Sequence, residues 1–289
     1  MKKIVLLSFV LIQSLTLCAQ EKVQIKLSPA SPSASFVQEL GNTTIKVNYN
    51  RPLVRDRKIF GELVPFDQLW RTGASNATQF SVSEEITFGG NKLKAGDYSL
   101  FSIPSKNEWI IIINTDTKLH GDSGYDEKKD IFRFKIPSEK APHFYETFTI
   151  EVNDINTKGE AFLKVLWENT MIRIPIKSKD DENIMALINQ NLIIENKQDA
   201  SLLFQAANYY YTTERDSKQA ILWLLEAEKI ESDNYNFPYL RQKIAASSND
   251  YPAAIDAAKK ALKIAEIKKM KNQDTLKKQI TEWELLLKK

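Results

Sequence analysis

The chain has 289 residues, 43% hydrophobic and 27% charged, a balance that excludes a disordered or collagen-like polymer and leaves room for two ordinary domains. Its formal net charge is +3, or +1 once Lys2 and Lys3 are set aside, so charge gives no ground for general binding to nucleic acid or acidic membranes. The one cysteine, Cys18, excludes an internal disulfide.

Met1-Lys2-Lys3, the apolar run Ile4 to Leu17 and the ending Cys18-Ala19-Gln20 read as a secretory signal peptide over residues 1–19, cleaved after Ala19. The apolar run is too short for a permanent span. Lipidation of Cys18 is the alternative, disfavoured by the bulky Leu17 before it. Cleavage removes the only cysteine, and with it any thiol nucleophile or thiolate metal ligand. The expected location is outside the cytoplasm: periplasm, cell surface or medium.

Residues 20–35, rich in Ser, Pro and Ala, are expected to form an extended lead-in. The β domain is expected over 36–177. Ile45, Val47 and Tyr49 alternate with polar neighbours, Gln79 to Phe88 does the same, and Gly89-Gly90-Asn91 supplies a turn into Lys92-Leu93. Further strands are expected at 98–103, 108–114, 131–136, 144–152, 161–167 and 171–176. The run Ile110 to Ile113 suits a strand covered on both faces. Eight or nine short strands without a helical period predict an antiparallel β-sandwich or jelly-roll-like barrel.

After Ile176 the period changes. A connecting helix is expected over 178–198, capped at Ser178 to Asp181 and carrying Ile184, Leu187, Ile188 and Leu192. Over 199–289, Ala220-Ile221, Leu224 and Ala227 recur 34 positions later as Ala254-Ile255, Ala258 and Ala261-Leu262. That is the length of a tetratricopeptide unit, with Phe204, Ala207 and Tyr211 as knobs of a first helix. The second copy is weaker, because Arg241 and Gln242 stand where apolar and small residues are usual. A last helix, Gln273 to Leu287, with Leu276, Ile280, Trp283 and Leu287 on one stripe, would cover the open end. Tyr251 to Lys289 carries ten lysines against five acids, a local +5, which reads as a solvated helical face.

The residues that packing alone does not explain crowd between Asn48 and Pro104. They include Tyr49-Asn50-Arg51-Pro52, Arg55, Arg57 to Gly61, Trp70-Arg71-Thr72-Gly73-Ala74 and Gly89 to Phe101, with Tyr125 to Asp130 beyond. These motifs resemble the bacterial domain of unknown function family 2911, over roughly residues 28 to 177. The resemblance implies a shared fold and no stated activity. Two departures are visible. Ser75-Asn76-Ala77-Thr78 stands where the family has Asn-Glu-Ala-Thr, and His120-Gly121 where it often has Trp-Gly, so a role resting on that carboxylate does not carry over.

Arg51, Arg55, Arg57 and Arg71 are candidates for binding carboxylate, phosphate or sulfate through paired hydrogen bonds. Against this stands the favoured expectation that Arg51 and Arg71 are buried ion-pair partners of acids such as Asp67, Glu62 or Asp130. Trp70, Thr72, Asn76, Thr78, Tyr125, Asp126 and Asp130 complete the candidate ligand-binding set, with turn capping the preferred role for Thr72, Asn76 and Thr78. Trp70, entering a glycine-rich loop, is less obviously needed for a core than the other aromatics. No cofactor or metal is expected: the two histidines lack partners at ligand spacing, and Asp122, Asp126 and Asp130 match no calcium loop. No nucleophile elbow, zinc, dinucleotide or P-loop motif occurs. The reading is an exported, non-enzymatic module that binds a glycan or anionic small ligand on the β domain and an unknown protein through the helices. The alternative is a hydrolase acting on envelope glycan or peptide.

Overall fold

A computed structural model describes residues 27–288. The expected signal peptide and Cys18 lie outside the described residues. Nine antiparallel strands form the N-terminal half: β1 (Ser33–Leu40), β2 (Thr43–Asn50), β3 (Thr78–Val82), β4 (Ile86–Phe88), β5 (Asn91–Leu93), β6 (Gly96–Pro104), β7 (Glu108–Asn114), β8 (Asp130–Asn153) and β9 (Glu160–Ser178). Their order is β1-β2-β3-β6-β7-β8-β9-β4-β5.

The two layers of the sandwich share one strand. The first part of β8 pairs with β7, from Asp130↔Asn114 to Pro137↔Glu108, and the rest pairs with β9, from Ser138↔Ile172 to Asn153↔Phe162. Its register with β9 slips between Lys140 and Tyr145 and again between Tyr145 and Thr149, the kind of irregularity that lets a strand bend from one layer to the other. Inner faces of both layers meet in a single core. Val47, Phe80 and Ile111 from one side pack with Phe88, Ile150, Val165 and Ile174 from the other. Strand β7 is covered twice: Ile111 and Ile113 face this core, while Ile112 packs with Phe101 and Ala77 in a second cluster.

The predicted sandwich is present, with three changes of detail. Strand β1 begins inside the expected lead-in, where only Leu40 of its eight residues is buried, so the alternation that marks a strand is faint. The stretch 79–88 divides at Ser83–Glu85, and β4 leaves β3 to pair with β9 in the other layer. Four expected strands merge into two long ones, β8 and β9, because their backbone continues through the bends.

The C-terminal half is an array of helices, each packed on the next. Helix α1 (Asp180–Ile188) runs into a π-helical stretch, Asn189–Ile194, and is followed by α2 (Ala200–Thr212), α3 (Ser217–Ile230), α4 (Asn236–Ser247), α5 (Tyr251–Ile267) and α6 (Gln273–Leu286). Asp199, Asp216 and Asp250 cap α2, α3 and α5 through their side chains, and the last two are 34 positions apart, in step with the alanine repeat. Ala220, Ala227, Ala254, Ala258 and Ala261 are fully buried, so the helices approach closely where the repeat places small residues.

Arg241 and Gln242 are buried as well, and Arg241 keeps its charge by pairing with Glu228 and Asp256. On the connecting helix Ile188 and Leu192 are buried, but Leu187 points to solvent because the covered stripe runs through Asp181, Ile184, Met185 and Ile188, one face away from it. Leu287 lies past the end of α6 and is exposed, so the terminal stripe closes with Trp283. The halves are tied where Asn42, in the β1–β2 turn, donates its backbone N–H and side-chain Nδ2 to the two oxygens of Asp180 at 2.9 and 2.8 Å. No helix among the described residues is long and apolar enough to cross a membrane.

Candidate functional site

After β2 the chain does not return directly to the sheet. Residues 51–77 form an irregular excursion anchored at four places. Leu53 bridges to Thr147, Val54 N–H donates to Glu146 O, Trp70 pairs with Ser102, and Asn76 bridges to His120. Buried Val54, Ile59, Phe60, Val64 and Trp70 hold the excursion down on the main core. Trp70 is therefore a core residue: it stacks on Trp167 with centroids 6.0 Å apart, meets Phe60, Trp109 and Phe148 edge-on, and donates its Nε1–H to Gly73 O at 3.0 Å.

The backbone here is unusually strained. Eleven described non-glycine residues have left-handed φ, and five of them, Arg55, Asp56, Asp67, Thr72 and Ser75, fall within this one excursion. Thr72 is the least comfortable, since a β-branched residue at φ +51° is a true outlier. It stays there because its fully buried hydroxyl meets Ser102 Oγ at 2.8 Å and its carbonyl accepts from Thr78 Oγ1 at 2.6 Å. Strain of this kind, about 1–3 kcal/mol per residue, persists where surrounding contacts over-determine the loop, and it clusters at binding sites.

A cleft of about 330 Å³ opens between this excursion and the loop 119–124. Its apolar lining includes Pro52, Leu53, Leu63, Val64, Pro65 and Leu69, with Trp70 and Trp167, and its charged lining is Arg55, Arg57, Arg71 and Asp122. Arg55 donates to Ala30 O at 3.1 Å, Arg57 to Val54 O and Leu53 O at 3.0 and 2.6 Å, and Arg71 to Ser75 O at 3.2 Å. Each guanidinium thus uses only one or two of its five N–H groups, and always on main-chain carbonyls. Gly121, at φ +77°, brings the facing loop up to Arg71: a Cβ there would stand 3.2 Å from Arg71 Nη1.

The expected burial of Arg51 and Arg71 in ion pairs is not found. Among the described residues no carboxylate lies within ion-pair distance of Arg51, Arg55, Arg57 or Arg71, and Glu62 pairs with Lys58, Asp130 with Arg133. Arg51 is a fastener by another route, donating from Nε to Phe148 O at 3.0 Å and from Nη2 to Thr149 Oγ1 at 2.9 Å, outside the cleft.

The other sequence candidates also separate. Thr72 and Thr78 are buried inside the loop and bond to it. Asn76 meets His120 Nδ1 at 2.7 Å and faces a second, amide-lined depression with Asn48, Asn50 and Gln79. Asp126 accepts from Lys128 N–H and starts a short 3₁₀ turn. Tyr125 donates to Asp130, which also takes Arg133 Nε at 2.6 Å and Asn114 Nδ2 at 2.7 Å. In this network burial, aided by the hydrogen bond to Asp130, pushes the Tyr125 hydroxyl up to about 12, so it acts as a neutral donor holding the loop. Neither this network nor Asp126 reaches the cleft. Asp122, Asp126 and Asp130 do not gather, and no group of three metal-ligating side chains stands together among the described residues.

Residues 31–176, just over half of the chain, match the model of the family described as protein of unknown function (DUF2911). The chain belongs to the DUF2911 family. The matched segment runs from two residues before β1 to two residues before the end of β9, so the DUF2911 domain is the sandwich with its excursion, and the helical array follows it. No curated protein sequence matches the chain.

Two residues of the DUF2911 cleft escaped sequence reasoning. In the sequence Asp122 stands out only beside Asp126 and Asp130, as a set that matches no calcium loop, and Trp167 only as the end of the strand expected at 161–167. A signal for Trp167 exists only in three dimensions: it is buried, it lines the cleft, and its Nε1–H has no acceptor.

Proposed function

We propose that this is an exported envelope protein whose DUF2911 domain binds a small anionic ligand in the cleft beside Trp70, without turning it over. The observation that carries the reading is the set of three guanidinium groups, Arg55, Arg57 and Arg71, lining one open cleft with no carboxylate among the described residues paired to any of them. Such groups retain donors and positive charge for a carboxylate, phosphate or sulfate. The apolar residues that line the same cleft favour an organic anion over an inorganic one. The helical array, read as tetratricopeptide-like from its 34-residue period, serves to dock a protein partner.

The test is titration of the protein lacking residues 1–19 with hexanoate, followed by tryptophan fluorescence at low ionic strength. Saturable binding that disappears in Arg57→Ala and Arg71→Ala but survives in Arg133→Ala, which lies outside the cleft, supports the proposal. Binding that ignores Arg57 and Arg71 rejects it.

A hydrolase acting on envelope glycan or peptide is the second reading. It is favoured by Asp122, a carboxylate at the cleft with no ion-pair partner among the described residues. Release of products from envelope fragments by the wild type, abolished in Asp122→Asn, would establish it.

A further inference from the structure

The sheet carries a second hollow that shares no lining residue with the arginine cleft. Ile45, Val47 and Tyr49 of β2 and Phe80 of β3 enter the core, so alternation turns Asn48, Asn50 and Gln79 to the outer face. Register sets Ser33 opposite Asn50, Ser35 opposite Asn48, and Asn48 opposite Gln79, which aligns hydroxyls and amides across three neighbouring strands. With the exposed Asn76 they line a depression of about 370 Å³ that has no charged residue in its lining. Asparagine is a poor strand former, and two of them on successive outward positions of the inner strand β2 cost the sheet stability. Packing returns little of this, since the cross-strand contact from Asn48 Nδ2 to Gln79 Oε1 is long, at 3.4 Å.

The amides are nevertheless held in place. Gln79 Nε2 donates to Thr117 O and Asn50 Nδ2 to Ser31 O, both at 3.1 Å, and Asn76 Oδ1 meets His120 Nδ1 at 2.7 Å. Each amide offers two N–H donors and two acceptor lone pairs. Among the described residues Asn48 Oδ1, Asn50 Oδ1 and Asn76 Nδ2 make no hydrogen bond, and the two oxygens are open to solvent.

We infer that this depression binds the hydroxyl groups of a neutral oligosaccharide. Hydroxyls donate and accept at once, which matches fixed amides that offer both. A row that crosses strands about 4.8 Å apart suits successive sugar units better than a single one. An anion finds no cation in this lining. A peptide that adds as a strand needs a free sheet edge, and β2 and β3 are paired on both sides. The inference is independent of the anion reading.

The experiment titrates ¹⁵N-labelled protein with cellotriose, maltotriose, mannotriose and triacetylchitotriose, and separately with acetyl-triglycine amide. The side-chain NH₂ resonances of Asn48, Asn50, Asn76 and Gln79 are followed after triple-resonance assignment. At least one trisaccharide is expected to shift the Asn48 and Gln79 resonances saturably, with the same affinity at low and high salt, because no charge is screened. Asn48→Thr and Gln79→Thr each weaken that binding about fivefold or more, the scale of one lost hydrogen bond, while Arg57→Ala leaves it unchanged. Threonine is a good strand former, so both variants are expected to fold; if either does not, the wild-type shifts decide alone. The inference is overturned if no trisaccharide moves these amides, if only the peptide does, or if binding survives both threonine variants. Loss of sugar binding in Arg57→Ala moves the ligand to the arginine cleft and overturns it as well.

Discussion

Arg241 Nε donates to Glu228 Oε1 at 2.9 Å between helices α4 and α3, with both side chains over nine-tenths buried. Asp256 and Lys260 extend the pair toward solvent at 2.9 and 2.8 Å. Burial alone would lower the Arg241 pKa, yet the hydrogen bond and charge of Glu228 raise it, so the guanidinium stays ionised.

Removing one member of such a pair strands the other. Arg241→Met or Glu228→Leu alone is expected to destabilise the helical half by about 3–5 kcal/mol, whereas the double replacement recovers most of the loss, because apolar side chains of similar size carry no desolvation cost. Urea denaturation of the two single variants and the double one measures this. A double variant as unstable as the worse single one would show that the pair contributes more than mutual charge cancellation.

The same pair shows where sequence reading stops. Ala220, Leu224 and Ala227 announce their partners through the 34-residue period, and the buried alanines sit where that period puts them. Arg241 reads only as a defect in the period, since nothing local reveals that Glu228, on the preceding helix, will face it. The cleft follows the same logic. Arg55, Arg57 and Arg71 stand out by type, but which arginine becomes a fastener and which faces the cleft depends on β8. Its carbonyl at Phe148 takes Arg51, its Glu146 takes the backbone N–H of Arg55, and both are distant in sequence. The left-handed Thr72 has no sequence signature at all, because its conformation is imposed by Ser102 and Thr78.

Arg51 and Arg71 provide a matched contrast. Arg51→Ala loses two hydrogen bonds that join the end of β2 to β8 and should cost about 1–2 kcal/mol. Arg71→Ala strands no charge and loses one 3.2 Å contact to a loop carbonyl, so its stability should change by about 0.5 kcal/mol or less, while arginine-dependent ligand binding falls at least tenfold. Thermal melts of both variants check this, and a large loss for Arg71→Ala would assign it to the scaffold.

Asp181 links pH to the seam between α1 and α2. Burial works against its ionisation, but hydrogen bonds from Tyr209, at 2.5 Å, and from Arg215 outweigh it and hold the carboxyl below the ordinary aspartate range. A depressed folded pKa means stability that is present above the unfolded value, about 3.9, and lost as pH falls through the folded one. Burial and Asp181 together push Tyr209 up to about 12, so its contribution is present below pH ~10 and lost as pH rises through the folded value. Asp181→Asn is therefore expected to lower stability by about 1 kcal/mol at neutral pH and to flatten both the acid and the alkaline limb. Melting curves from pH 2.5 to 11 test it, and an unchanged acid limb would count against it.

The alanine repeat bears on whether the halves fold separately. Ala227 and Ala261 are fully buried on α3 and α5, where a side chain even one methylene larger meets the neighbouring helix. Ala227→Glu or Ala261→Glu adds volume and an unpaired carboxylate at once, and should unfold the helical array. The core of the sandwich lies within β1 to β9 and the excursion, and helix residues do not enter it. The described ties across the boundary include the Asn42–Asp180 pair of hydrogen bonds and the bond from Thr157 to Thr212 O at 2.9 Å. Polar contacts of that kind stabilise by about 1 kcal/mol each, too little to carry a nine-stranded core down with the helices. Tryptophan fluorescence reports on both halves, through Trp70, Trp109 and Trp167 in the sandwich and Trp223 and Trp283 in the helices, so Trp223→Phe and Trp283→Phe in the same background isolate the sandwich signal. The expected result is a sandwich transition within a few degrees of wild type after the helical circular-dichroism signal has collapsed. Simultaneous loss of both signals would make the Asn42–Asp180 seam part of one cooperative unit.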